Sequence, residues 1–323
     1  MQVRIIDANA LGFAQYFIGK KQSTDSTRPW ALHGFLSHVR SRLHFSPEVL
    51  NVIVWDGRAQ WRYDLLAEYK SSRYRTQEQR DARAAYELLR PLIQRALRLM
   101  PVVQLLHPGA EADDVAFGLA RQLAGQGHLV SLSTSDTDWL RIVANRIRWV
   151  NAKKLTEIIE LEGFAKATGI ASPEQYSQAK ALAGDTTDDI PGVDGIAFKR
   201  ATALLAKYGG LAQLLEAAED LLAFGREPKY YQGLTDPQVR EQVRTNLRLV
   251  DLALGPALKG ADIAMTVGEF DELSFAEMLQ DTGLGDALEN WPYWHRPLSR
   301  GLDRADVLAV QRAVATIERS WAP

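Results

Sequence analysis

The chain has 323 residues, of which 46% are hydrophobic and 24% charged, with a net charge of −2 and no cysteine. That length holds one large or two ordinary domains, and the composition is that of a soluble globular protein. Without cysteine there is no disulfide, thiolate zinc site or cysteine nucleophile, and there is neither a signal-peptide pattern nor an apolar run long enough to span a membrane; a cytoplasmic protein is expected. In chain order, Gln2 to Asp7 is a short apolar run ending in an aspartate and predicts a first strand. Asn9 to Phe17 and Trp30 to Leu43 read as helical, joined by a polar linker from Lys20 to Pro29. Asn51 to Asp56 repeats the strand-then-aspartate arrangement.

Between Arg58 and Arg90 stand eight cations, Arg58, Arg62, Lys70, Arg73, Arg75, Arg80, Arg83 and Arg90, against five acids. Trp61, Tyr63, Tyr69, Tyr74 and Tyr86 are interleaved with them. Cations and rings in a helical segment suit a single-stranded nucleic acid groove, charges for phosphates and rings for bases. They equally suit a solvated helix with a few packed tyrosines, and the residues alone leave both readings open. Before Ala84 the stretch from Lys70 has almost no apolar stripe, so it is expected to be mobile without a ligand. Pro91 is expected to kink or restart the helix that runs to Met100.

Val102 to Leu106 predicts a third strand, and Leu129 to Ser133 a fourth, with Asp136 and Asp138 just past its end. Between them Glu111, Asp113 and Asp114 open a helical pattern that runs through Leu123. Arg146 to Val150 is a fifth strand, hairpinned to Lys154 to Glu160. From Gln175 onward short helices separated by glycine make a second, helical subdomain. It opens with Asp185 and Asp188, three apart and so on one helical face, then Gly192, Gly195, Lys199 and Arg200. A glycine turn with cations at the next helix start suits a phosphate; an ordinary capped turn has the same composition.

Function collects at the carboxyl ends of parallel strands in open α/β sheets. If the predicted strands are parallel, Asp7, Asp56, Asp136 and Asp138 share one edge and Glu111, Asp113 and Asp114 join them. Two unit charges about 4 Å apart cost roughly 4 kcal/mol at an effective dielectric near 20. Such a cluster needs cations.

The chain resembles the flap endonuclease and 5′–3′ exonuclease family, the stand-alone phage 5′ nucleases and the 5′-nuclease domain of bacterial DNA polymerase I among them. The resemblance rests on Ile6-Asp7-Ala-Asn, Trp55-Asp56-Gly, Glu68-Tyr69-Lys70-Ser-Ser-Arg73, Glu111-Ala-Asp113-Asp114, Ser133-Thr-Ser-Asp136-Thr-Asp138 and Gly184-Asp185-Thr-Thr-Asp188-Asp189-Ile-Pro-Gly, which fall in the family's order over about residues 1 to 255. It implies an α/β fold with a mostly parallel central sheet flanked by helices and a helical arch, in residues 1–173 with the arch at about 58–100. A helical DNA-binding subdomain, 174–285, would carry a helix–three-turn–helix hairpin. Residues 286–323, with Trp291, Trp294 and Trp321, match nothing in the family.

By the same resemblance Asp7, Asp56, Glu111, Asp113, Asp114, Asp136, Asp138, Asp185 and Asp188 hold two magnesium ions, with Mn²⁺ able to replace them. Taking nine acids out of a net charge of −2 leaves a body of +7, suited to a polyanion. Lys70 and Arg73 would sit at the base of the arch and bring positive charge to the scissile phosphate. Arg58, Arg62, Tyr69 and Arg75 would contact DNA there, while Gly192, Gly195, Lys199 and Arg200 would grip the duplex beside a potassium ion. The family pattern has Asn where this chain has Asp189, and a third glycine where it has Ala197. The expected partners are DNA flaps, nicks and free 5′ ends, and RNA/DNA hybrids, met by a monomer in a bacterial or phage-infected cell.

The donor set independently favours hard cations. Carboxylates suit Mg²⁺ or Mn²⁺, and the six histidines show no zinc spacing. A PIN-like ribonuclease shares an acid-lined sheet but is shorter and lacks the second basic hairpin. A non-catalytic reader of branched DNA would show missing acids, and a phosphatase for small substrates would need neither arch nor hairpin.

Overall fold

The computed structural model describes residues 1–22, 28–223, 229–255 and 258–319. Trp321 and the middle of the Lys20–Pro29 linker lie outside the described residues. Five strands are parallel: β1 (Gln2–Asp7), β2 (Val49–Trp55), β3 (Val103–Leu106), β4 (Leu129–Thr134) and β5 (Ile147–Asn151), in the order β5-β4-β1-β2-β3. The short β6 (Ile158–Ile159) returns antiparallel on β5, the expected hairpin. β7 (Leu258–Lys259) pairs with β9 (Glu318–Arg319) in a separate ribbon, and β8 (Ala264–Val267) lies antiparallel on β3 at the other edge of the main sheet.

Strand alternation sorts side chains to two cores. Val3, Ile5, Val52, Val54, Val103 and Leu105 face one side, where α5 (Ala112–Gly125) is packed, while Ile6, Ile53 and Trp55 face the other. The second side is covered by α1 (Ala8–Gln22), α2 (Arg28–Phe45) and the later half of α4 (Gln77–Leu97). The short α3 (Gln60–Leu65) precedes α4, which runs through Pro91 as one helix with Ala82, Tyr86, Leu89 and Ile93 buried. Its apolar face thus begins earlier than Ala84, because Ala82 is already covered.

After α6 (Phe164–Thr168) the chain builds a helical subdomain from α7 (Pro173–Ala183), α8 (Phe198–Tyr208), α9 (Leu211–Ala223), α10 (Lys229–Thr235) and α11 (Pro237–Val250), with its own core around Leu182, Leu205 and Val243. Helices alone were expected from Gln175 to residue 285. Instead the chain leaves the helical subdomain near residue 251 and re-enters the sheet as β8. Four half-exposed residues at an edge carry too little apolar signal to read as a strand.

The C-terminal residues are part of the α/β body rather than an appendage. α12 (Glu272–Asp281) and α13 (Trp291–Leu298) complete the core on the α2 side, and α14 (Arg304–Ala315) packs on α5. Trp294 is 1% exposed, against Phe275 at 5.8 Å between ring centroids and His33 at 5.8 Å. Among the described residues no helix is long and apolar enough to cross a membrane. Emptying a tryptophan site in a packed core costs about 3–5 kcal/mol. Trp294→Ala is therefore expected to lower the unfolding free energy by that amount, read as a lower midpoint at unchanged slope in urea titrations; an unchanged midpoint would make the C-terminal helices an independent attachment.

Candidate metal centre and nucleic-acid interface

Parallel strands end together, and their acids do too. Asp7 closes β1 and is held by the Ala10 N–H at 2.9 Å and the Thr134 hydroxyl at 3.0 Å, the latter from the end of β4. Asp56, just past β2, accepts from the Asn9 side chain and from the Ala112 N–H at 2.8 Å, which ties it to the start of α5. Asp136 accepts from the Asp138 N–H at 2.8 Å in a tight turn after β4, and Asp113 accepts from the Trp139 indole at 2.7 Å.

The helical subdomain supplies the other wall. Asp138, Asp185 and Asp188 bring one carboxylate oxygen each within 4.8 Å of one another. Lys180 of α7 lies between two of them, ion-paired to Asp138 and 2.6 Å from Asp185. No sequence argument singled out Lys180; it stands five residues before Asp185, and only acids and arch cations were sought. Lys70 has the matching position on the sheet side, 2.6 Å from Glu111 and 3.7 Å from Asp188. Arg73 pairs with Asp188 as well. Two ammonium groups thus stand among the carboxylates where cations are wanted, so an oxygen-rich donor set of this kind fits divalent ions.

Lys70 and Asp189 both have φ of 56°, the left-handed region that non-glycine side chains rarely adopt. Each is held there by the other's segment: the Lys70 N–H donates to the Asp188 carbonyl at 2.9 Å, and the Ser72 N–H to the Asp189 carboxylate at 2.7 Å. Arg75 pairs with Asp189 at 3.0 Å. The stretch expected to be mobile is therefore fastened at its base, because the acids of the centre and Asp189 are its counter-charges. The Asp where the family pattern has Asn adds an ion pair to a position that favours either residue.

Eight of the nine predicted acids share this hollow, and one does not. Asp114 has no exposed surface; Arg62 grips both its oxygens, at 2.7 and 3.2 Å, and it caps the Glu111 N–H at 3.1 Å. Arg62, expected on DNA, is only 2% exposed, and it also meets Glu111 and the Leu249 carbonyl, each at 3.5 Å. Tyr69, also expected on DNA, is buried and donates its hydroxyl toward Glu111 and Asp188, 3.2 Å from each. All three brace the centre from behind. Arg58 is exposed, beside Gln60 at 3.0 Å.

The turn between α7 and α8 closes by backbone contact. A Cβ on Gly192 would lie 2.1 Å from the Ala183 carbonyl oxygen, and Gly195 has φ of 73°, so both glycines answer to chain geometry. Lys199 and Arg200 are exposed in the first turn of α8, Arg200 bonded back to the Gly195 carbonyl.

Crowding shows in the titration of the acids. Burial, then Asp56, pushes Asp7 up to about 6; burial, then Asp138, pushes Asp136 up to about 7, although Asp136 keeps access to solvent. Burial and the neighbouring acids Asp136 and Glu111 raise Asp113 well above the carboxylate range. Burial would raise Glu111 and Asp185 too, but Lys70 with Arg62 and Lys180 respectively outweigh it and hold both below their usual values.

Two family models match the chain: 5′–3′ exonuclease, N-terminal resolvase-like domain, over residues 2–169, and 5′–3′ exonuclease, C-terminal SAM fold, over residues 171–270. The chain belongs to the 5′–3′ exonuclease family. It is 29% identical over 303 residues to a thermostable DNA polymerase I of Thermus thermophilus, covering 90% of this chain and 35% of that protein. It is also 28% identical over 214 residues to a 5′–3′ exonuclease of Aquifex aeolicus, covering 66% and 71%. The chain thus spans about a third of the length of such polymerase relatives. Its fold is that of the bacteriophage T5 flap endonuclease, solved with DNA and metal ions, at a TM-score of 0.64 and 20% identity over 97% of this chain and 100% of the other. The Rad2 catalytic core, solved with a DNA substrate, gives 0.62 at 15% identity over 92% of each chain.

A carboxylate raised by the fold stabilises the protein fully below its unfolded pKa, near 3.8, and loses that contribution as pH rises through the folded value. Asp136→Asn is therefore expected to change the metal-free melting temperature little at pH 4–5 and to raise it relative to wild type by pH 8. Thermal melts in chelator across this range check it; a difference independent of pH would show that Asp136 is not repelled by its neighbours.

Proposed function

We propose that the chain is a structure-specific 5′ nuclease that hydrolyses DNA phosphodiesters with two divalent cations, Mg²⁺ by preference with Mn²⁺ as a substitute, leaving 5′-phosphate and 3′-hydroxyl ends. The carrying observation is the set of eight carboxylates from three strand ends, the start of α5 and a helical subdomain converging on one hollow, with Lys70 and Arg73 at its mouth. Its substrates are 5′ flaps, nicks and free 5′ ends, including RNA/DNA hybrids, met by a monomer in the cytoplasm. Membership of the 5′–3′ exonuclease family supports this reading, as do relatives whose structures were solved with DNA.

Asp7, Asp56, Glu111, Asp113 and Asp136 would hold ions on the sheet side, and Asp138, Asp185 and Asp188 on the subdomain side. Bound there, divalent ions supply a water of lowered pKa and charge neutralisation at the leaving oxygen. The chain's own contribution is placement. Arg62 and Asp114 fix the start of α5 so that Glu111 and Asp113 face the hollow. Breaking such a buried pair strongly destabilises, so it is a brace rather than a spare ligand. Tyr69 joins Glu111 to Asp188 and so holds the two walls at one separation. Lys70 and Arg73, fixed by those acids, present positive charge to a phosphate entering the mouth, where a preorganised cation stabilises developing charge.

Exposed cations Arg58 and Arg75 would guide the strand, and Lys199 and Arg200 would anchor the duplex at the α7–α8 turn. The potassium ion expected beside that turn has less support: the Val193 and Gly195 carbonyls already accept from the Ile196 N–H and from Arg200. No step depends on it.

A 5′-labelled flap, a nicked duplex and a single strand, each incubated with and without Mg²⁺, test the reading directly; absence of metal-dependent cleavage on all three overturns it. Lys70→Ala is expected to lower the single-turnover rate at least about tenfold, roughly 1.4 kcal/mol of barrier, with a smaller change in affinity. If affinity falls and that rate holds, Lys70 only anchors substrate. Lys199→Ala with Arg200→Ala is expected to reduce the slope of log duplex affinity against log salt by up to about two, one for each lost phosphate contact. An unmoved slope would place the duplex elsewhere.

A further inference from the structure

The helical subdomain is entered at α7 and left after α11, and one side chain of the α/β body reaches both places. Arg141 lies in the short 3₁₀ turn that follows β4, Thr137–Ile142, three residues beyond Asp138. It is buried, and two of its nitrogens point to opposite ends of the insertion. Nε donates to the Asp251 carboxylate at 2.8 Å, at the residue that caps α11. Nη1 stands 3.5 Å from Glu174 in the first turn of α7.

The turn and α7 thus run side by side in opposite directions, joined by two rungs. Asp138, early in the turn, pairs with Lys180 late in α7; Arg141, late in the turn, pairs with Glu174 early in α7. The rungs are six helical residues apart on α7, about 9 Å of rise. Between them Ser177 is 1% exposed, a small side chain that lets the helix lie close to the turn. Apolar contacts seal the same seam, because Tyr176 of α7 and Leu252 beyond α11 are buried in the core that holds Leu140 and Ile142.

Charge is matched there. Arg121 of α5 and Arg141 both lie over the Phe117 ring, 5.3 and 5.7 Å from its centroid, so two cations serve Glu174 and Asp251. Burial first, then Arg141, lowers the Arg121 pKa, and Glu174 and Asp251 oppose this. Asp251 is the buried partner of Arg141, while Glu174 is half exposed and its rung orients more than it binds. A buried ion pair adds little stability over packed apolar side chains, yet its geometry is exacting, and the guanidinium fork fixes two acids at one separation.

We propose that Arg141 is a positioning residue for the subdomain half of the metal centre. The Lys180 rung is the one that opens when a divalent ion takes its place, since Lys180 also holds Asp185 at 2.6 Å. Arg141 then keeps Asp138 in register with Asp185 and Asp188. The inference rests on the metal-dependent nuclease reading, because that register matters only where these acids share an ion.

The chain has no cysteine, so an introduced pair carries spin labels at the chosen sites alone. Glu216→Cys on α9 and Gln311→Cys on α14 are exposed positions, one in the insertion and one on the body. Arg141→Met with Asp251→Asn removes the pair whole and leaves neither charge buried alone, and melting curves certify the fold. Pulsed dipolar spectroscopy without metal is expected to give one narrow distance in the parent and a clearly broader distribution in this variant. Mn²⁺ titrated calorimetrically into the unlabelled full chain is expected to bind about tenfold more weakly at the weaker of its two sites, the low end of what losing an outer partner of metal ligands costs. Arg141→Lys keeps the charge but has no fork; it is expected to fall between the two, and it decides alone should the double variant not fold. A variant that melts lower yet keeps the parent's distances and Mn²⁺ affinity makes Arg141 an ordinary core ion pair and overturns the proposal, as does a change in one readout without the other. A parent chain that binds no Mn²⁺ sinks the nuclease reading instead, and the metal-free distances still decide whether Arg141 holds the insertion.

Discussion

Mutual repulsion of the carboxylates is the constraint to which the rest of the fold is fitted. Eight acids share one hollow, and the neighbouring structure offsets them before any ion arrives. Lys70 and Lys180 stand one on each wall, each bonded to a carboxylate at 2.6 Å. Arg73 adds a third cation. Behind them Arg62 neutralises Asp114 in the core, and Asn9, Thr134 and Trp139 donate to the acids that lack a cation. What the chain leaves uncompensated is visible in Asp7, Asp113 and Asp136, which burial first and neighbouring acids second raise above the usual carboxylate range, with Lys180 opposing this only in part at Asp136. Those three mark where added positive charge stabilises most.

Much of this was readable beforehand, because the sheet is parallel and its strands end in acids. Asp7, Asp56, Asp136 and Asp138 needed only the rule that parallel strands finish at one edge. Asp114 is claimed instead by Arg62, 52 residues away in the chain, and helical spacing does not exclude it from the hollow, since Asp114 stands three residues after Glu111. The neighbour that claimed Asp114 could not be foreseen: Arg62 lies in a segment whose cations all looked alike, and only its burial beside Leu249 and Asp114 separates it from Arg58. Tyr69 was hidden in the same way, since a ring that stacks on a base and a ring that braces two acids have one composition.

β8 and the C-terminal helices escaped for different reasons. β8 is four residues long and paired on one side only, so neither periodicity nor hydrophobicity marks it. Trp291 and Trp294 were conspicuous but had no motif, and their role is packing against Phe270 and Phe275, which no local pattern announces.

The return of the chain as β8 makes the helical subdomain an insertion, tethered to the sheet at both ends. Val103 pairs with Val267, so the sheet's far edge cannot close until every helix of the insertion has been synthesised. Growing from the ribosome, the parallel strands would wait with β3 uncovered while the insertion condenses around its own core. The order of assembly would then place Asp185 and Asp188 against the strand-end acids before the last strand locks the sheet. A two-ended tether also limits the insertion to hinge-like rotation, so the halves of the acid cluster cannot drift far apart even when Lys70 and Lys180 let go.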